Sequence, residues 1–172
     1  MQYAKLGWSN VKISRIALGG MSYGSKEPWM AQKDSALKII KKGFDLGINF
    51  IDTADVYSDG ESEKIVGEAI RGYDRENIII GSKVGLEFGK EINNSGLSRK
   101  RLYTQLNGSL QRLNTDYIDI YQVHRWDYNT DLDEALSTLT QFVKEGKVRY
   151  LGATSIYAFQ IQRLWDAAVY KG

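Results

Sequence analysis

The chain has 172 residues, room for one domain of ordinary size, and its 42% hydrophobic and 26% charged residues suffice for a buried core. A formal net charge of +2, from 23 Lys+Arg against 21 Asp+Glu with no block of like charge, argues against a non-specific nucleic-acid binder or a polybasic membrane-surface protein. The absence of Cys excludes disulfide frameworks, thiolate catalysis and cysteine metal sites, and a single His excludes a histidine-rich metal site.

The stretch Met1 to Trp8 lacks the apolar core of a signal peptide, and no apolar run approaches the roughly 18 residues needed to span a bilayer. A cytoplasmic protein is therefore expected. Met1–Leu6 and Val11–Ile13 flank Gly7-Trp8-Ser9-Asn10 and predict a small hairpin. Five short apolar runs follow without alternation, as in buried parallel strands: Ile13–Leu18, Asn49–Thr53, Ile78–Val84, Tyr117–Val123 and Val148–Ala153.

Each run is followed by a helical stripe. The first carries Ala36, Ile39, Ile40 and Gly43 and ends at Gly47; the second carries Ile65, Val66, Ala69 and Ile70 and stops near Gly72. Ser98 is the expected cap of a third, with Leu102, Leu106, Leu110 and Leu113. Leu132, Ala135, Leu136, Leu139 and Phe142 mark the fourth, and Ile161, Leu164, Trp165 and Ala168 the fifth. Strand and helix alternate five times, so a mostly parallel sheet with right-handed crossovers follows.

Periodicity leaves open whether the sheet is doubly wound or part of a barrel. Gly19, Gly20 and Gly24 follow the first strand, but their spacing is not the GxGxxG of a dinucleotide-binding turn. In either architecture the ligand face lies at the C-terminal strand ends. Four polar residues fall there: Asp52 on the second strand, Tyr57 in the loop after it, Lys83 on the third and His124 after the fourth.

Each has a bland reading taken singly, as a turn carboxylate, a packing tyrosine, a paired lysine and a structural histidine. Together they form an acid site. A phenol titrates near 10, too high for an efficient proton donor at neutral pH. An ammonium beside it favours the phenolate, an aspartate holds that ammonium charged and oriented, and an imidazole orients a carbonyl or relays the proton.

These residues carry a family resemblance. Asn49-Phe50-Ile51-Asp52-Thr53-Ala54-Asp55-Val56-Tyr57 with Gly60-Glu61-Ser62-Glu63 and Val66-Gly67, then Ile80-Gly81-Ser82-Lys83-Val84, then Leu113 to Asp127, then Gly146 to Gly152, resemble in order the motifs of the aldo-keto reductases. The closest style is the microbial and potassium-channel-β-subunit-like branch. The resemblance implies a (β/α)8 TIM barrel with Asp52, Tyr57, Lys83 and His124 as catalytic tetrad. The implied reaction is reversible hydride transfer between NADP(H), sometimes NAD(H), and a small aldehyde or ketone, with Tyr57 as proton donor and no metal.

By the same resemblance Gly20, Met21 and Asp52 line the cofactor, and Thr154 and Ser155 hold its nicotinamide amide. Asp131 stands where the family often has a proline opening the fourth helix. The family barrel takes about 250 residues. Here 172 residues over five units give about 34 each, an ordinary βα size.

The expectation is therefore a single domain over residues 1–172, cut short on its C-terminal side, which keeps the tetrad and lacks most of the phosphate contacts. Its activity in isolation is then in question. Self-association or a partner chain would complete the barrel, and the alternative function is a non-catalytic interaction or regulatory subunit. Strand order separates barrel from open sheet: sequential neighbours mean a barrel arc.

Overall fold

The computed structural model describes residues 1–24 and 27–171. β1 (Tyr3–Lys5) and β2 (Lys12–Ser14) pair antiparallel as the predicted hairpin, closed by Leu6 N–H donating to Val11 O at 2.9 Å. Five βα units follow: β3 (Leu18–Gly19) and α1 (Lys33–Asp45), β4 (Phe50–Asp52) and α2 (Glu61–Ala69), β5 (Ile79–Val84) and α3 (Arg99–Leu113), β6 (Ile118–Val123) and α4 (Leu132–Lys144), β7 (Val148–Ala153) and α5 (Ala158–Lys171). The strands are all parallel and lie in the order β3-β4-β5-β6-β7. No strand reverses the order, so the sheet is a five-strand arc of a (β/α)8 barrel and not a doubly wound sheet.

One expected strand, Ile13–Leu18, divides. Ser14 Oγ donates to Ile16 O at 2.6 Å, and the Ser14 N–H donates to Asn49 Oδ1 at 2.7 Å, so the chain turns after β2 and only Leu18–Gly19 joins the arc. Apolar content could not reveal this, because the break is made by a serine bonding its own backbone.

The core lies between the outer face of the sheet and the helices, with Ile40, Ile51, Val66, Ile80, Leu102, Leu106, Tyr121 and Phe142 at its centre. In α1, Ala36, Ile40 and Gly43 are buried as expected, whereas Ile39 is 46% exposed, one residue off the inward stripe. α2 and α3 meet at Gly67, where a Cβ would stand 2.6 Å from Leu113 O. Ser98 caps α3 by accepting from Arg101 N–H, and Asp131 caps α4 by accepting from Asp133 and Glu134 N–H.

The stripe expected on α5 is mostly solvent-facing. Leu164 lines a small cavity together with Leu132, Leu136 and Leu139 of α4, but Ile161 and Trp165 are each 51% exposed and Ala168 is exposed. α4 is the helix packed beside α5, so one side of α5 is covered. Arg149 to Leu151 of β7 are exposed too, beside an open cavity of about 760 Å3 on the inner face, lined by Phe50, Ile120, Gln122, Tyr150, Trp8 and Trp165. Among the described residues no helix is long and apolar enough to cross a membrane.

Candidate active site

Parallel strands in register bring their C-terminal ends to one rim. Asp52 is the last residue of β4, Lys83 the last but one of β5, His124 follows β6, and Thr154 follows β7. Lys83 is 5% exposed, and its Nζ donates to Asp52 Oδ2 at 2.6 Å, Thr53 O at 2.7 Å and Tyr57 Oη at 3.1 Å. An ammonium has three protons, and here all three have partners. The Tyr57 and His124 rings stand edge to face with centroids 5.8 Å apart. All four tetrad residues expected from sequence are thus in one cluster.

The loop that carries Tyr57 is tightly wound. Tyr57–Gly60 forms a 3-10 turn in which Ser58 (φ 50°) and Asp59 (φ 53°) are left-handed without being glycine, followed by Gly60 at φ 86°. Such a run costs of order 1–2 kcal/mol per non-glycine residue and persists where its surroundings hold it. Ser58 Oγ donates to Tyr23 O at 2.7 Å, and Gly60 lies against Phe88 and the Arg112 side chain, leaving no room for a Cβ.

Burial, and then the Lys83 ammonium, push the His124 imidazole down from 6.5 to about 4. It is neutral at pH 7, with one N–H to donate and one nitrogen to accept. Its Nδ1 has no hydrogen-bond partner among the described residues.

A second polar cluster lies behind the site, on the outer face of the sheet. Glu63 of α2 is fully buried; it accepts from Ser82 Oγ at 2.6 Å and from Arg112 Nε at 2.7 Å. Asp55, two residues before Tyr57, is also fully buried; with the Gln105 amide turned so that its nitrogen faces the carboxylate, that nitrogen donates to Asp55 Oδ2 at 3.1 Å and the Gln105 oxygen accepts from Arg101 Nη1 at 2.7 Å. Among the described residues, Asp55 Oδ1 and the Tyr121 hydroxyl have no hydrogen-bond partner. Burial, then the nearby Glu63 carboxylate, push Asp55 up from 3.8 to about 7. Burial likewise raises the Tyr121 phenol well above its ordinary range.

The residues singled out for a cofactor lie on the same rim. Gly20 is buried with its N–H committed to Asp52 O at 2.7 Å, and a Cβ there would stand 2.8 Å from Ser62 Oγ. Met21 is 56% exposed. Thr154 and Ser155 present their hydroxyls side by side, 3.5 Å apart, with Ser155 left-handed at φ 54°.

Sequence reasoning passed over Gln122, which donates to Asp52 Oδ1 at 3.0 Å, and the Glu63–Arg112 pair. Gln122 sits inside an apolar run without alternation, and nothing local shows that it lines the inner cavity beside Ile120. Glu63 and Arg112 are 49 residues apart, and nothing local links them.

The Aldo/keto reductase family profile matches residues 15–171. Among curated proteins, the aldo-keto reductase dtxS3 of Metarhizium robertsii is 38% identical over 198 residues, covering all of this chain and 54% of that protein. A Schizosaccharomyces pombe protein designated "Putative voltage-gated potassium channel subunit beta" is 38% identical over 161 residues, covering 91% of this chain and 46% of that one. Among solved structures, the holo form of aldo-keto reductase AKR11C1 from Bacillus halodurans superposes with a TM-score of 0.84 at 34% identity, over 95% of this chain and 53% of that one. The chain spans about half the length of the curated relatives it matches.

Proposed function

The chain belongs to the aldo/keto reductase family of oxidoreductases, and from that premise we propose that its strand-end site performs reversible NADP(H)-dependent reduction of small aldehydes and ketones. The observation that carries this reading is the buried Lys83 ammonium, held between the Asp52 carboxylate at 2.6 Å and the Tyr57 hydroxyl at 3.1 Å. Tyr57 donates its proton to the substrate oxygen. The phenolate left behind is stabilised by the adjacent ammonium, and Asp52 keeps that ammonium in place. Neutral His124 offers an N–H to the same oxygen and thereby orients the carbonyl.

The nicotinamide cofactor, when bound, supplies the hydride to the carbonyl carbon. The residues present fit it: the paired Thr154 and Ser155 hydroxyls offer the donors and acceptors that a carboxamide needs, on the rim that holds Tyr57 and His124. The exposed backbone of β7 is the edge on which further strands add to complete a barrel, from the same polypeptide or from a partner chain. The likeness to a designated channel β-subunit supports a second reading, a cofactor-dependent interaction subunit.

One experiment decides between them. NADPH consumption with a reactive aldehyde is followed at 340 nm for the wild-type chain and for Tyr57→Phe, with NADPH binding measured separately. Loss of turnover in Tyr57→Phe with binding retained is the expected result. Equal rates in the two proteins, or cofactor binding by the wild type without any reduction, would overturn the enzymatic reading and favour the second.

A further inference from the structure

β4 and β6 are not neighbours, since β5 lies between them, yet a side chain of one holds a carboxylate of the other. Gln122 of β6 crosses the inner face of β5 and donates from Nε2 to Asp52 Oδ1 at 3.0 Å. The path exists because Gly81, the β5 residue paired with Asp52, has no side chain. A Cβ at Gly81 would stand 3.2 Å from Asp52 Oδ1 and 3.5 Å from Gln122 Nε2, so anything longer would occupy the crossing. On the other flank Gln122 is paired with Gly152 of β7, where a Cβ would come within 3.0 Å of Gln122 Cγ. One amide thus lies across a floor cleared by two glycines.

We propose that Gln122 is a positioning residue of this site, pinning the Asp52 carboxylate so that its other oxygen stays on Lys83 and the ammonium stays against the Tyr57 hydroxyl. A carboxylate held at one oxygen is free to turn about its Cβ–Cγ bond; held at both, it is not. Asp52 is held at both, by Gln122 on Oδ1 and by Lys83 on Oδ2. Lys83 rides on a flexible four-carbon stem, and its ionic partner is what confines it. Were Asp52 to turn away, a nearly buried ammonium would lose that partner and move to recover one. The distance that then changes is the one from Lys83 Nζ to Tyr57 Oη.

The kinetic part of this inference rests on the enzymatic reading above; the positional part does not. Gln122→Met keeps the length and packing of the side chain without its donor, and Gln122→Glu keeps its shape with a like charge facing Asp52. The primary measurement is the side-chain ammonium signal of Lys83 in 15N NMR of the whole chain, assigned by its absence from Lys83→Met. We expect a protected signal in the wild type and at least tenfold faster proton exchange in both Gln122 variants, with backbone amide spectra otherwise preserved; an unchanged Lys83 signal overturns the inference. Should the variants fail to fold, the wild-type Gln122 amide decides, because exchange as fast as that of a solvated glutamine overturns it equally. In turnover, Gln122→Met should lower kcat about ten- to a hundred-fold with KM within about twofold, the loss of one hydrogen bond to a charged group. A wild type that reduces no carbonyl while its Lys83 signal is protected refutes the enzymatic reading and leaves the positioning result standing.

Discussion

Asp55→Asn should make the stability of this chain depend on pH in a way the wild type conceals. Asp55 has an ordinary pKa of 3.8 and is pushed to about 7 in the fold. Between those values the folded state binds a proton that the unfolded state does not, so stability falls as pH rises, by about 1.4 kcal/mol per unit and about 4 kcal/mol in all. His124 acts in the opposite sense. Its imidazole is lowered from 6.5 to about 4, so over that window the unfolded state binds the extra proton and stability rises with pH, by about 3 kcal/mol. The two windows nearly coincide, and the two contributions nearly cancel. Replacing Asp55 by the neutral, isosteric Asn removes only the first. Urea denaturation at pH 4 and pH 8 should therefore show the variant gaining about 4 kcal/mol relative to wild type between the two conditions. This double difference is insensitive to every group the substitution leaves alone. A variant-minus-wild-type difference that is the same at both pH values would show that Asp55 is not a buried, proton-binding carboxyl, and the account of the outer cluster would fall.

Three further outcomes follow from contacts on the same face. Gly67→Ala places a methyl 2.6 Å from the Leu113 carbonyl, a backbone atom that cannot turn aside, so α2 and α3 must separate at a cost of about 1–3 kcal/mol in urea denaturation. Gly43→Ala, whose methyl meets only the tip of the Leu18 side chain, should cost less. Arg112→Met leaves the fully buried Glu63 carboxylate without its ion-pair partner and should cost about 3–5 kcal/mol; adding Glu63→Gln in the same chain should recover most of that loss in thermal melts.

The alternation of apolar runs and helical stripes was enough to predict five βα units on a mostly parallel sheet, because burial on both faces leaves a parallel strand no polar alternation to obscure it; that the sheet is a barrel arc was implied only by the family resemblance. The tetrad was equally legible: Asp52, Lys83 and His124 are polar residues at or just past the ends of apolar strands, where a fold of this kind collects its chemistry. What escaped was whatever depended on a distant partner. Gln122 reads as a stray polar residue until β4 is placed two strands away, and Glu63 reads as a surface helix residue until Arg112 arrives from α3. The stripe on α5 was read from its own periodicity, and periodicity gives the direction of an apolar face without saying what lies opposite. Ser14 ended a strand early through its own side-chain bond to Ile16 O, a local event that apolar content does not encode.

Ser82 and Lys83 are consecutive on β5, and they point to opposite faces of the sheet. Ser82 donates outward to Glu63, and Lys83 donates inward to Asp52 and Tyr57. All six residues of β5 are buried, so apolar contrast between its two faces does little to fix how it aligns with its neighbours; Ile79 and Ile80 would satisfy either face. The polar dipeptide fixes it instead. A slip by one residue would carry the lysine to the side of the outer arginines and leave Asp52 facing a serine, stranding charge on both sides of the sheet at once. The ion pairs that build the site therefore also act as a key that admits one alignment of the barrel, so the chain cannot reach a well-packed misregistered sheet that keeps its core while losing its chemistry.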